Sequence, residues 1–293
     1  MKKMKKQFSI VIPVHNEESS LEMTLESLKS FLDSKQYEYE IVCVDDKSAD
    51  KSPEILDNFD GITVIHHKKN RGYGGALKTG IKSAKYDTIV IMDSDGQHRP
   101  EEIPKLLDAY ESKESMVIGE RKVYQTKVSR VLGKILLHKI ANFIFKQEIP
   151  DINSGFRVFS KKEAKKFLHL CSERFSFTTS ITLAYISNGY DLIYIPINVQ
   201  KRTTGESQVS MKTGFRTILK ILELGMIFKP LRVVLPLSIV FGTLGLGSFC
   251  VDLYHINLTN TTVFLLSNSV ILFISALLAE QINNIRMEII HRD

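Results

Sequence analysis

Residues Asp87–Ile103 read DTIVIMDSDGQHRPEEI. Four apolar residues, Ile89 to Met92, run directly into Asp93 and Asp95, two carboxylates one residue apart, and Pro100 closes the turn beyond them. A short β-branched run of this kind reads as a buried strand. On its own, an Asp-x-Asp pair is more often a solvated turn than a site. The neighbouring elements decide between the two readings.

Short apolar runs also occupy residues 8–14, 40–45, 62–66 and 115–119, with 87–93 between the last two. Helix-like stretches cover roughly 17–34, 50–59, 71–84 and 100–112. Strands alternating with helices predict an α/β domain with a mostly parallel, Rossmann-like sheet covered on both faces. Ligands of such sheets bind outside the carboxyl ends of the strands. That rule brings PVHNEE (13–18), DDKSAD (45–50), NRGYGG (70–75) and DSDGQH (93–98) to one edge, as parts of one site.

Asp45 and Asp46 close the second strand, where a carboxylate can accept from ribose hydroxyls or a base edge; Ser48 or Asp50 can equally cap the following helix. Gly72, Gly74 and Gly75 open the third helix, where free backbone N–H groups suit an anion. The glycines miss the dinucleotide fingerprint, because Leu77 stands where a third small residue belongs and the loop follows the third strand, which discards a nicotinamide cofactor. Asp93 and Asp95, taken with Gln97 and His98, supply hard oxygen donors from one turn for a Mg²⁺ or Mn²⁺ ion shared with substrate phosphates. Arg121, Arg130, Lys134 and Arg202 are candidate cations for the same phosphates. Arg130, Lys134 and His138 recur every four residues on one helix face, a pattern that ordinary solvated faces share.

The 293 residues hold one large α/β domain and something smaller, with a net charge of +6. Cys43, Cys171 and Cys250 are far apart and fit neither a disulfide framework nor a zinc site, so a reducing compartment is expected. The opening MKKMKK precedes an apolar stretch too short for a cleaved signal, and none is expected. Near the C-terminus the composition changes sharply. Val233–Val251 carries no formal charge, and neither does Leu253–Ala279; each is long enough to cross a bilayer core of about 30 Å. The joining YHINLTNT lacks Lys and Arg, whereas Arg232 precedes the first span and Arg286 and Arg292 follow the second. The positive-inside rule then places both termini in the cytoplasm. Lys212, Arg216 and Lys220 form a basic stripe on an amphipathic helix just before the spans, which reads as lying on anionic lipid. The expected organisation is a catalytic domain over 1–208, a juxtamembrane helix over 209–230 and a membrane domain over 231–293 with spans at about 233–253 and 262–282. Gly242, Gly245 and Gly247 suit close helix association, which leaves a homo-oligomer open.

Seven motifs in order, IPVHNEE, VDDKSAD, NRGYGGA, MDSDGQHRPEEI, IGER, INSGFR and KRTTGESQ, resemble the dolichol-phosphate mannose synthase group. These are polyprenyl-phosphate glycosyltransferases of family 2 with a GT-A fold, and the resemblance covers about residues 7–210. It implies an inverting transfer from a nucleotide-diphosphate sugar, of the UDP-glucose or GDP-mannose type, to undecaprenyl or dolichyl phosphate. It implies that Pro13, Glu17, Val44 and Asp45 or Asp46 hold the nucleotide, with His15 at the usual stacking position, and that Asp93, Asp95 and Gln97 surround metal and diphosphate. Arg121, Arg202 and Ser207 would contact donor phosphates; Arg130 and Lys134 would meet the lipid phosphate; Ser154 to Arg157 would shape the acceptor side. Two departures stand out: His15 replaces a tyrosine, and Gln208 replaces a lysine after Gly-Glu-Ser. The alternatives are a membrane-bound relative with a polysaccharide or glycolipid acceptor and a catalytically silent membrane scaffold. The chain has no tryptophan, which argues against a processive synthase dependent on a QxxRW element. Its Lys and Arg lie beside the spans and the acidic strand ends, the wrong place for a nucleic-acid footprint.

Overall fold

The computed structural model describes residues 6–35, 37–121, 139, 142–145, 149–174, 176–199 and 211–292. The chain divides into two compact units, Met1–Lys134 with Ile149–Gly214, and Ile135–Glu148 with Phe215–Asp293.

The first unit is built on a seven-stranded sheet. Its strands are β1 (Gln7–Val14), β2 (Glu38–Asp45), β3 (Thr63–His66), β4 (Thr88–Ile91), β5 (Ser115–Arg121), β6 (Arg157–Ser160) and β7 (Asp191–Ile197), in the order β3-β2-β1-β4-β6-β5-β7. Pairing is parallel for β1 with β2 and β4, for β2 with β3 and for β5 with β7; β6 alone runs antiparallel, to both β4 and β5. All other strands therefore point the same way, as the alternating pattern predicts. The registers Val14↔Asp45, Asp45↔His66, Ile91↔Arg157 and Arg121↔Ile197 set one edge. Because β6 is reversed, it is its start that reaches this edge, and the 151–156 loop arrives there with it.

Period-two alternation sends Phe8, Ile10, Ile12 and Val14 of β1 to one face, all buried in the core. There they meet Leu21, Leu25, Leu28 and Leu32 of α1 (Leu21–Lys35), spaced to share one helical face. The opposite face carries Val42 and Val44 against Ala76 of α3 (Tyr73–Ser83). α2 (Ser52–Asp57) and α4 (Ile103–Ala109, after a 3₁₀ turn at Pro100–Glu102) complete the crossovers. α5 (Lys161–Phe167) follows β6 directly, capped by the Ser160 hydroxyl accepting from Glu163 N–H, and α6 (Phe177–Ser187) leads to β7.

In the second unit, two helices are long and apolar enough to cross a membrane: α8 (Pro230–His255), and Asn260–Ile285 of α9 (Asn260–Arg292). α7 (Met211–Phe228) precedes them, at the position expected for the basic amphipathic helix; the side chains of Lys212, Arg216 and Lys220 lie outside the described residues. α8 and α9 pair along their length. A Cβ on Gly242 would approach Ser269 Oγ to 2.9 Å, and one on Gly245 would meet Leu266 at 2.7 Å, so these glycines are used inside the hairpin. Ser238 Oγ donates to Ser269 O (2.9 Å) and Ser269 Oγ donates to Ser238 O (2.9 Å).

The tightest helix-to-sheet approach is at Gly80 of α3, where a Cβ would lie 2.4 Å from Val11 Cγ1 and 3.3 Å from Val44 Cγ2. Gly80→Ala should gain up to about 1 kcal/mol of helix propensity and lose about 1–3 kcal/mol to overpacking. The expected net result is a lower denaturation midpoint; a midpoint at or above wild type would show that β1 yields at this contact.

Candidate active site

The loop after β4 is fixed from several sides. Ser94 Oγ donates to Pro13 O (3.0 Å), and Ser20 Oγ donates to Ser94 O (3.1 Å), tying it to the end of β1 and the start of α1. Gly96 takes φ +71°, a left-handed turn that glycine adopts without strain, and Gln97 N–H donates to Asp95 Oδ1 (3.1 Å). Asp93 N–H donates to His98 Nδ1 (3.2 Å), and the buried His98 ring stacks on Phe156 with centroids 4.9 Å apart. That hydrogen bond requires His98 Nδ1 to be unprotonated. The Asp93 carboxylate accepts from Tyr73 Oη (2.8 Å) on one oxygen, and its other oxygen lies against Gly155, where a Cβ would come within 2.4 Å.

Beside it, Arg121 at the end of β5 makes a bidentate pair with Asp151, at 2.8 Å from Nε and 3.0 Å from Nη2. Burial would lower the Arg121 pKa, but Asp151, and more distantly Asp93 and Tyr73, raise it above its ordinary value. Burial also opposes ionisation of Asp151, yet its contacts with Arg121 hold its carboxyl below the usual range. Acid and base thus alternate across the loops after β4 and β5.

The β2 end carries a second acidic cluster. Asp46 is buried and accepts from His67 Nδ1 (2.7 Å), Arg71 N–H (2.8 Å) and Gly72 N–H (2.6 Å). Asp45, also buried, accepts from Ser48 N–H (3.0 Å) and pairs with His66 Nδ1 (3.1 Å), whose Nε2 meets Asp57 at 3.0 Å. His15 is exposed, with Nε2 3.3 Å from both Asn16 Nδ2 and Asn70 Nδ2, where the loops after β1 and β3 meet. Glu17 is half-buried; its N–H donates to Ser52 Oγ (3.0 Å), and Ser20 Oγ donates to its carboxylate (3.3 Å).

The structure brings Asp93, Asp95, Gln97 and Arg121 together at the sheet edge, with the Asp45 and Asp46 cluster beside them. Several expectations need correction. Pro13 and Val44 are buried within the sheet, so only their main chain can serve a donor. Ser154 is fully buried and donates to Gly119 O (2.6 Å). Arg157 is also fully buried and donates to Ser154 O (2.7 Å), Ile152 O (2.9 Å) and Thr182 Oγ1 (2.5 Å). Both side chains are enclosed by protein and shape the 151–156 loop from within. At the start of α3, part of the N–H array expected to suit an anion is already engaged. The N–H groups of Arg71 and Gly72 are satisfied by Asp46, and that of Gly75 by Glu173 O (2.7 Å). The glycines instead allow close approach, since a Cβ on Gly74 would sit 2.1 Å from Ser172 O. Arg130, Lys134, Arg202 and Ser207 lie outside the described residues. The sequence reading missed Tyr73 and Asp151; the only local signals were an aromatic among glycines and an acid just before INSGFR.

The family model for glycosyl transferase family 2 matches residues 9–168, and that for the GtrB C-terminal hairpin matches residues 229–285. An uncharacterized protein of Methanocaldococcus jannaschii is 32% identical over 233 residues, 74% of this chain and 92% of that protein. The dolichol-phosphate mannosyltransferase of Pyrococcus furiosus is 31% identical over 233 residues, and the match covers 74% of this chain but only 63% of that relative. Among solved structures, glucosyl-3-phosphoglycerate synthase from Mycobacterium tuberculosis, in complex with Mg²⁺ and UDP, superposes with a TM-score of 0.61 at 16% identity, over 75% of this chain and 79% of that one. At that identity the likeness concerns the fold alone, which is GT-A. The chain belongs to glycosyl transferase family 2.

Hydrogen bonds that the His66 ring donates to Asp57 and Asp45 raise its pKa above its ordinary 6.5. The stability these pairs contribute is therefore complete below about pH 6.5 and is lost as pH rises through the higher folded value. The ring is part-exposed, so solvent screening keeps the effect modest. Wild type should exceed His66→Gln in thermal stability by a margin that shrinks between about pH 6 and 9. A margin constant across that range would show that these ion pairs do not contribute.

Proposed function

We propose that this family 2 glycosyltransferase moves a sugar from a nucleotide-diphosphate donor to a polyprenyl phosphate, inverting the anomeric carbon. The observation that carries the reading is the pairing of an acid-and-arginine sheet edge (Asp93, Asp95, Arg121) with a membrane hairpin on the same chain. The dolichol-phosphate mannosyltransferase activity for which the Pyrococcus furiosus relative is named supports it.

Asp45, Asp46 and Glu17, with the main chain of Pro13 and Val44, bound the nucleoside side, and His15 takes the base-stacking position. Arg121, held by Asp151, faces the diphosphate, joined by Arg202 and Ser207. Arg130 and Lys134 meet the lipid phosphate. Tyr73 engages one lone pair of Asp93 Oδ1, which leaves the carboxylate further acceptor capacity, and the part-exposed Asp95 carboxylate and Gln97 amide add hard oxygen donors of the kind a divalent cation takes. Asp93, Asp95 and Gln97 would hold Mg²⁺ or Mn²⁺, which when bound neutralises charge growing on the departing diphosphate. Complexes of the structural neighbour with Mg²⁺ or Mn²⁺ and UDP support that choice.

A polyprenyl monophosphate arrives ionised at neutral pH, so the site has to orient and screen it; it need not deprotonate it. The catalytic domain, residues 1–208, and both termini lie on the cytoplasmic side, with 209–230 along the surface and 231–293 in the bilayer.

Membranes containing the protein, supplied with a panel of radiolabelled UDP- and GDP-sugars, should pass label from one of them to the lipid fraction. Asp95→Asn should reduce transfer at least about a hundredfold while remaining folded and membrane-bound. Label appearing in polysaccharide, or full activity in EDTA, would overturn the acceptor or the metal assignment respectively.

A further inference from the structure

Tyr73 opens α3 from the glycine loop, and nothing in the proposed chemistry uses it. Its backbone is firmly placed. Asp46 binds the N–H groups of Arg71 and Gly72 ahead of it, Gly72 turns at φ +86°, and Gly75 N–H is held by Glu173 O. The phenol end is enclosed by the site and reaches Asp93 Oδ1 at 2.8 Å. A carboxylate oxygen accepts and a phenol O–H donates, so Tyr73 is the donor in this bond. On the far side, Asp93 Oδ2 rests against Gly155, and His98 receives the Asp93 N–H. The Tyr73 hydroxyl thus holds the carboxylate itself, the loop at residue 98 holds the Asp93 backbone, and the absent side chain of Gly155 leaves the carboxylate its space.

We propose that Tyr73 is a positioning residue of the donor site: its hydroxyl fixes the Asp93 carboxylate in the orientation in which it lies against Gly155. The inference rests on the donor site proposed above and extends it to a residue outside the strand-end acids. Tyr73 contacts no substrate in this scheme. It acts through Asp93, which has two other rotamers to escape into once the hydroxyl is gone.

The test is nucleotide binding in place of turnover. Purified full-length protein in detergent is titrated calorimetrically with Mn²⁺–UDP and Mn²⁺–GDP. Tyr73→Phe should bind the preferred nucleotide about tenfold more weakly than wild type, the scale of one charge-assisted hydrogen bond. Asp93→Asn should weaken binding too, and the double variant should bind no worse than Asp93→Asn alone, because the two changes remove one interaction. Gly155→Ala, which pushes the carboxylate from the other side and leaves the tyrosine intact, should reproduce the loss. Tyr73→Phe binding as tightly as wild type would overturn the proposal. So would a tenfold loss repeated in the Asp93→Asn background, since that marks a packing role independent of Asp93. If wild type binds neither nucleotide, the donor-site reading itself falls and this inference with it.

Discussion

A parallel sheet covered on both faces can display chemistry only at its ends, and that constraint organises the first unit. Strands such as β1, whose residues Phe8 to Val14 are all buried, leave no side chain for a ligand along their length. Function is confined to the loops where strands stop. Those loops carry acids, and an acid near the core costs several kcal/mol unless it is paired or hydrogen-bonded. Each acid here is met in a different way. Asp46 takes two backbone N–H groups and an imidazole, Asp151 takes a guanidinium, and Asp93 takes a phenol. The need to satisfy these carboxylates joins the loops to one another.

This explains which features could be read from the sequence. Parallel strands announce themselves because burial on both faces demands continuous apolar runs, and the runs ending at Val14, Asp45, His66 and Ile91 did so. β6 did not, because its first residue is an arginine. Arg157 is expected on the acceptor side, and its charge is buried among the carbonyls of Ile152 and Ser154 and the hydroxyl of Thr182. Burial lowers its pKa, as expected for a cation whose hydrogen-bond partners are neutral. The glycines of NRGYGG misled for a similar reason. Absence of a side chain permits either anion contact or close backbone approach, and only the position of Ser172 and Glu173 decides between them. The Arg121–Asp151 pair spans thirty positions, and no local period links its members.

The hairpin follows a different rule. In lipid, apolar side chains gain nothing by leaving one hydrocarbon surface for another, so helices adhere through close packing and hydroxyl hydrogen bonds. Length and composition were enough to find the spans. The close helix association expected of the glycines is met within the hairpin, where Gly242 and Gly245 bring α8 against α9, with Ser238 and Ser269 exchanging hydrogen bonds beside them.

The histidines carry the last step. General-base catalysis needs a ring nitrogen with an open lone pair within reach of the nucleophile. Both nitrogens of His66 face carboxylates, and those of His67 meet Asp46 and Thr79. His98 receives a backbone N–H on Nδ1 and turns Nε2 toward Asp93 at 4.0 Å. These three rings are spent on holding acids and loops in place. His15, beside Asn16 and Asn70, stands apart on the exposed rim, where it suits contact with a base more than proton transfer. Among the described residues, imidazoles committed in this way to acids and loops suit a nucleophile that arrives already ionised. A phosphate monoester, the acceptor proposed above, is a nucleophile of that kind.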